Sequence, residues 1–129
     1  MTQPSGSDRN FKKFSESSTR PRRALQIWLI LMSKAHNRQT LTYGMLADMM
    51  GFQGAGTLAP ILGYVMCYCQ QQNLPPLTVL VVNQSTGLPG AGLEGDHLHE
   101  AREEVFRYNW FDLEPPTPEA LTIAKQNHP

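Results

Sequence analysis

Apolar residues recur at helical spacing over residues 20–36 and predict the central core helix. Its expected inner face is an apolar stripe along one side (Leu25, Ile27, Trp28, Leu29, Leu31, Met32). Ser18 or Thr19 stands where an N-cap is expected, and Pro21 suits the first turn because its missing N–H would be unpaired there anyway. This helix should therefore organise the rest of the fold around it.

A second, short helix is predicted over residues 43–50, and a third over residues 58–72. Thr42 is the expected N-cap of the second helix, and Gly51 its C-terminal stop, since glycine readily adopts the left-handed conformation found there. The turn FQGAG then leads to Thr57, the expected cap of the third helix. The third helix should bury one apolar face (Leu58, Leu62, Val65, Cys69).

Residues 77–82, LTVLVV, end this helical pattern and predict a buried strand, because β-branched and aliphatic side chains are dense there. The following NQSTGLPGAGL is rich in glycine and is predicted to form a wing, with a second short strand near Leu93. A fourth helix, capped by Asp96, is expected to reach Tyr108. A proline linker then precedes a short helix capped by Thr117.

The order of these elements predicts an α+β fold. We expect a small winged-helix-like domain with a helix, a helix-turn-helix, a short β-strand with a glycine-rich wing, and C-terminal helices. A length of 129 residues suits one hydrophobic core. The expected organisation is a flexible basic arm over residues 1–18, the winged-helix-like domain over 19–113, and a proline linker, short helix and tail over 114–129.

Charge is segregated along the chain although the formal net charge is zero. Residues 1–40 contain eight Lys and Arg against two Asp and Glu, whereas residues 41–92 contain a single charged residue, Asp48. Residues 93–129 contain three basic and eight acidic residues. The whole chain therefore has no net attraction to nucleic acid or membrane, but its basic N-terminal segment suits either a nucleic acid or an acidic surface.

Neither a membrane anchor nor a cysteine-based site is predicted. The longest apolar run, ALQIWLILM, has nine residues, well below the roughly twenty that span a bilayer. A secretory signal is disfavoured because its basic leader would be unusually long and a core helix explains the same run, so we expect a cytoplasmic protein. Cys67 and Cys69 diverge on the predicted third helix and are expected to be small buried thiols.

The segment EGDHLHE invites a metal site but has unsuitable spacing. On a helix His97 and His99 point to different sides, and His97 with Glu100 is the one well-spaced pair. Two ligands do not make a metal site. No Ser-His-Asp grouping, phosphate loop or recognisable carboxylate pair occurs in the sequence, so we predict no metal, no cofactor and no enzymatic activity.

The segment LTYGMLADMMG resembles the opening of the helix-turn-helix in the C-terminal domain of the O6-alkylguanine-DNA alkyltransferases and the alkyltransferase-like proteins. That family has a similar T-Y-G-x-L-A followed by glycine. The later LPPLTVLVV and its following glycines are similar to the family's strand and loop, so the resemblance covers about residues 25–93. It implies a winged-helix fold and contact with DNA.

The resemblance carries over only part of the family's functional residues. Tyr43 matches a tyrosine that in the family lies against the DNA backbone, although an aromatic residue packing at a helix start explains it equally well. Thr57 stands where the family has the arginine that fills the gap left by a flipped base. The reactive cysteine falls on Thr78 or Val81, neither of them a nucleophile, so no alkyl transfer is expected.

These features predict a non-catalytic winged-helix-type module that binds DNA or RNA. Phosphate contacts are expected from the basic arm and first helix, with polar contacts from the helix-turn-helix and the wing (Arg20, Arg22, Arg23, Lys34, Arg38, Tyr43, Thr57, Gln84). The alternative is a protein-interaction or oligomerisation module that uses the neutral third helix and the glycine-rich wing. Its partner would be another protein or a second copy of the chain.

Overall fold

Five α-helices and two short strands form most of what the computed structural model describes, namely residue 14 and residues 18–88 and 97–128. In chain order the elements are α1 (Arg20–His36), β1 (Leu41–Thr42), α2 (Tyr43–Met50), α3 (Leu58–Gln71), β2 (Val81–Val82), α4 (Leu98–Arg107) and α5 (Pro118–Gln126). Most of the predicted arm, the strand near Leu93 and the cap Asp96 lie outside the described residues. The fold is mixed, with helices predominating over a small sheet.

The local signals around α2 are confirmed. The Thr42 hydroxyl accepts a hydrogen bond from the backbone N–H of Met45 at 3.0 Å, which caps the helix as predicted. Gly51 ends the helix with a φ of 77°, in the left-handed region where glycine avoids the steric cost of a side chain. The predicted bounds of residues 43–50 therefore hold, because both signals act within one turn of the chain.

The predicted strand over residues 77–82 is wrong for its first four residues. Leu77–Leu80 form a 3-10 helix, and only Val81–Val82 are extended as β2. A strand needs a neighbour to pair its backbone, whereas the 3-10 helix pairs locally: the Val79 N–H donates to the Pro76 carbonyl at 3.0 Å. All four side chains of the 3-10 helix are buried, which explains why their composition resembles that of a buried strand.

β1 and β2 form a two-stranded parallel sheet. Leu41 is paired with Val81, and Thr42 with Val82. In a parallel pair the carboxyl ends of both strands lie at the same edge. The start of α2 and the turn that follows β2 are consequently neighbours, although about forty residues separate them in sequence.

The core is built around α1, as predicted. The Trp28 ring lies edge-on to both Tyr68 of α3 and Trp110, with ring centroids 5.6 Å apart in each pair. Leu29 was expected on the inner face but is exposed, whereas Ala24 is fully buried. The buried face of α1 therefore includes Ala24 and Ala35 in place of Leu29. α1 packs against both α3 and α5, and small side chains allow helices to approach closely.

α5 covers a second face of α3. Gly63, Cys67 and Gln71 are spaced four residues apart and so form one stripe along α3. Gln71 donates a hydrogen bond to the Ala124 carbonyl at 2.5 Å, and a Cβ added at Gly63 would lie 3.3 Å from the Cε atom of Lys125. α3 therefore buries the predicted core face and also Cys67 of this stripe, so part of the neutral helix face proposed for a protein partner is already covered by α5.

Candidate nucleic-acid interface

Arg23 is a buried structural residue, although the sequence predicts it as a phosphate contact. Its side chain is 5% exposed, and its guanidinium donates a hydrogen bond to the Met50 carbonyl at the C-terminal end of α2. The same group lies 4.7 Å from the centre of the Phe52 ring. Burial lowers the pKa of Arg23, but a cation is stabilised at a helix C-terminus by the exposed carbonyls. Arg23 must leave these partners before it can meet a phosphate.

Arg38 also has internal partners. Its Nη2 atom donates to both carboxylate oxygens of Glu103, at 2.7 and 2.6 Å, and its guanidinium lies 4.9 Å from the centre of the Phe106 ring. The hydrogen bond from Arg38 holds the pKa of Glu103 below its ordinary value. Arg38 therefore ties the end of α1 to α4, and one cation of the basic segment is neutralised by the acidic C-terminal third.

Arg20 and Arg22 are the predicted arginines that remain accessible. Arg20 is exposed, and Arg22 is half-buried with its guanidinium carbon 5.4 Å from the centre of the Phe14 ring. Among the described residues neither forms an ion pair. Both lie in the first turn of α1, so two positive charges stand at one end of the central helix.

Two aromatic rings and two arginines form a continuous cluster at this end of α1, defined here as the stacked cluster of Arg22, Phe14, Arg23 and Phe52. The Phe14 ring contacts both guanidinium groups, since the Arg23 carbon lies 5.8 Å from its centre. Arg23 also contacts Phe52, and Phe52 lines a cleft of about 420 Å³ in the α2–α3 turn (Gly51, Phe52, Gln53, Gly54, Gly56, Thr57). The start of α1 is thereby joined to the α2–α3 turn.

The remaining predicted residues lie in three places. Thr57 is exposed and lines the turn cleft beside the stacked cluster. Tyr43 is half-buried and packs against the core at the start of α2, while Gln84 is exposed in the turn after β2. The parallel sheet brings these last two regions to one edge. Lys34 lies elsewhere, in a hollow between α1 and α2.

Sequence reasoning missed Phe52 and the open glycines next to it. Phe52 follows the helix stop Gly51 directly and precedes Gly54 and Gly56. A large aromatic residue between glycines is a recognisable signal, since it places a ring beside bare backbone. Its pairing with Arg23, however, joins residues 29 positions apart and depends on how α2 packs against α1.

An exposed apolar patch lies on α1 and α2 and is formed by Leu29, Met45 and Met49. These side chains are 44%, 49% and 51% exposed, and the two methionines are four residues apart on one face of α2. Beside them is a hollow of about 380 Å³ (Gln26, Leu29, Ile30, Ser33, Lys34, Met49). The Oε1 atom of Gln26 is buried there and accepts no hydrogen bond from any described residue. A clustered apolar surface of this kind suits a protein partner.

The buried thiols and hydroxyl are poor nucleophiles. Burial raises the pKa of Cys69 to about 11, although the Leu77 N–H donates to the sulfur, and burial also raises the pKa of Cys67. Thr78, one of the two positions aligned with the alkyltransferase cysteine, is buried in the 3-10 helix, and its hydroxyl has no hydrogen-bond partner among the described residues. All three side chains are shielded from an external substrate.

The described residues contain neither a metal-binding cluster nor a membrane-spanning helix. No cluster of three or more His, Cys, Asp or Glu side chains there could hold a metal ion. In the same residues, every helix is too short or too polar to cross a bilayer.

Comparison with protein families, curated proteins and solved structures found no match to this chain. The resemblance to the alkyltransferases therefore rests on the segment around Tyr43 and on the region of the 3-10 helix and β2.

Proposed function

We propose that this protein is a non-catalytic nucleic-acid-binding module of winged-helix type, which binds phosphates of DNA or RNA beside the α2–α3 turn. The observation that carries the proposal is the position of Phe14. Its ring contacts Arg22 and Arg23, and Arg23 reaches the last carbonyl of α2. Phe14 is therefore linked through Arg23 to the C-terminal end of α2, next to the α2–α3 turn.

The available charges support this interface. Lys12 and Lys13 directly precede Phe14 in the sequence, and Arg20 and Arg22 lie in the first turn of α1. Affinity for nucleic acid comes chiefly from such cations, because each neutralises a phosphate and releases bound counterions. α3 carries no charged residue and is proposed to support the interface rather than supply its affinity.

The order of the elements around α2 supports a winged-helix type of fold. Helix, glycine stop, turn and second helix follow one another in the order that the alkyltransferase resemblance implies. Cys69 and Thr78 are buried, and neither is assigned a part in the proposed interface. Cys67 and Cys69 are free thiols, which suits the reducing cytoplasm as the place of action.

The test is fluorescence anisotropy with labelled single-stranded and duplex DNA and RNA, at salt concentrations from about 50 to about 200 mM. Binding is expected at low salt and should weaken steeply as salt rises. Arg20→Ala and Arg22→Ala should each weaken binding and reduce the slope of log Kd against log salt by about one.

The matched control is Arg107→Ala, which removes an exposed arginine at the C-terminal end of α4. It changes the net charge of the protein equally but should leave affinity nearly unchanged. No binding to any of these nucleic acids at low salt, or an equal loss in all three variants, would exclude the proposed interface.

A second candidate function, self-association, is favoured by the exposed patch of Leu29, Met45 and Met49. Lys34 lines the adjoining hollow and Asp48 precedes Met49, and neither forms an ion pair with a described residue. In a two-fold symmetric pair each residue meets its counterpart reciprocally, so the Lys34 of one copy can meet the Asp48 of the other. A second copy is therefore the partner proposed for this patch.

Light scattering coupled to size exclusion distinguishes the two functions. Self-association predicts a mass of twice 14.5 kDa, reduced to the single-chain mass by Met49→Lys. The control Leu88→Lys alters an exposed leucine outside the patch and should leave the dimer intact. A single-chain mass for the unmodified protein would reject this candidate.

A further inference from the structure

We infer that the stacked cluster and the glycine turn bind single-stranded nucleic acid, with an unpaired base stacked on Phe14 and the sugar-phosphate backbone passing over the turn. The inference rests on the proposed function and assigns it a substrate class. Single-strand binders combine cations that follow the backbone with aromatic rings on which bases stack. The stacked cluster combines two arginines with two aromatic rings.

The Phe14 ring is partly accessible. It is 38% exposed, and the guanidinium groups of Arg22 and Arg23 lie over it. Arg23 is held by Met50 and by the Phe52 ring, so one of the two cations beside Phe14 has a defined position. An aromatic ring accepts any base on its π-face, which suits binding without sequence preference.

The glycine turn leaves room for a ligand backbone. A Cβ added at Gly54 or Gly56 would meet nothing within 4 Å, and neither residue has a positive φ. Internal packing and backbone conformation therefore require glycine at neither position. Together with Phe52 these residues line the open cleft, where bare backbone permits the close approach of a second chain.

The third helix is poorly suited to a duplex. Helix-turn-helix proteins usually lay this helix in the major groove and hold it with cations on both phosphate strands. α3 has no charged residue, and α5 covers its stripe of Gly63, Cys67 and Gln71. Arg20 and Arg22 instead stand at the first turn of α1, beside the aromatic rings. This arrangement suits one flexible strand better than a rigid double helix.

The experiment measures anisotropy with three labelled probes of about 12 nucleotides: oligo-dT, an abasic strand with the same phosphates, and a duplex of the same length. Oligo-dT is expected to bind about tenfold more tightly than either of the others, since only it offers free bases. Phe14→Ala should reduce oligo-dT affinity to that of the abasic strand, because it removes the ring on which a base would stack.

Phe14→Trp supplies an independent readout, because an indole preserves stacking and its emission is quenched when a base covers it. Oligo-dT should quench this fluorescence, and the abasic strand should not. Gly54→Ala and Gly56→Ala should weaken oligo-dT binding while leaving the melting temperature nearly unchanged, because an added Cβ at either position meets no protein atom within 4 Å.

The outcomes separate this inference from the proposed function. Equal affinity for oligo-dT, abasic strand and duplex, with Arg22→Ala still weakening all three, overturns the single-strand assignment and leaves phosphate binding intact. Full binding by Phe14→Ala likewise overturns it. The absence of binding to every probe at low salt rejects both the assignment and the proposed function.

Discussion

Four arginines that lie within nineteen positions of the sequence occupy different environments. Arg20 is exposed, Arg22 lies against Phe14, Arg23 is buried, and Arg38 is paired with Glu103. Residue type alone assigns all of them a surface role, because arginine is seldom buried without a partner. The partners of Arg23 and Arg38 lie 27 and 65 positions away, so local sequence could not reveal them.

Arg23→Met is expected to lower the free energy of unfolding by about 2 kcal/mol, measured by urea denaturation. The methionine keeps an apolar stem but removes the donor to the Met50 carbonyl and the cation over Phe52. Arg20→Met, at an exposed position of the same helix, should change stability by less than about 0.5 kcal/mol. Equal losses in the two variants would contradict the structural role of Arg23.

The Arg38–Glu103 pair should be detectable as a lowered pKa of the Glu103 carboxylate. Because the hydrogen bond from Arg38 lowers the folded-state pKa of Glu103, the stabilisation is present above the unfolded pKa and is lost as pH falls through the folded pKa. Arg38→Ala should raise the pKa of Glu103 towards its ordinary value, as followed by carboxyl NMR. Arg107→Ala should raise it less, since Arg107 acts through charge without a hydrogen bond. An unchanged pKa in Arg38→Ala would contradict the pairing.

Helix starts illustrate how far local rules extend at the level of elements. Thr42 and Thr117 cap α2 and α5 as predicted, accepting hydrogen bonds from Met45 and Ala120 at 3.0 and 3.1 Å. Thr57 precedes α3 but makes no such bond. A 3-10 helix, Ala55–Thr57, runs directly into α3, so Thr57 already has helical backbone angles and lacks the extended conformation of a capping residue.

Substitution of these threonines by alanine should therefore have unequal effects. Thr42→Ala and Thr117→Ala are each expected to lower the free energy of unfolding by about 1 kcal/mol, because each leaves a helix N–H unpaired. Thr57→Ala should change it by less than about 0.5 kcal/mol. Chemical denaturation of the three variants checks this order, and a cost at Thr57 equal to that at Thr42 would show that Thr57 caps after all.

At the level of the whole molecule, α5 closes the fold over α1 and α3. Leu121 is fully buried and joins the main core, while Cys67 is buried in the stripe of α3 that faces α5. Lys125 lies beside α3, since a Cβ added at Gly63 would be 3.3 Å from its Cε atom. The residues after the proline linker are thus part of the domain, not a detached tail.

Leu121→Ala is expected to lower the free energy of unfolding by about 3 kcal/mol through the cavity it creates. It should also speed the labelling of Cys67 by a thiol reagent more than that of Cys69, because Cys69 lies in the main core. Labelling followed by mass spectrometry locates the modified residue. Ile123→Ala, at an exposed position of α5, should leave both rates nearly unchanged. Equal acceleration at the two cysteines would indicate global unfolding instead of local opening of α5.

The candidate site was predictable in part. The abundance of cations near the N-terminus and the glycine stop at Gly51 are readable from the sequence because they depend on composition and on one turn of chain. The stacked cluster could not be predicted from the sequence, although Phe14 lies only a few residues before Arg22 and Arg23. Its contacts require Phe14, Arg23 and Phe52 to converge, and that convergence follows from packing of α2 against the start of α1.

Periodicity and neighbouring residues suffice to place the first three helices, the apolar residues that begin the core and the cap of α2. Contacts between distant residues are needed for Leu77–Leu80 to turn as a 3-10 helix, for β1 and β2 to pair in parallel and for α5 to pack on α3. Long-range packing chooses among local conformations of similar energy, so these outcomes have no local signature. The same packing buried Arg23 and left Arg22 at the surface.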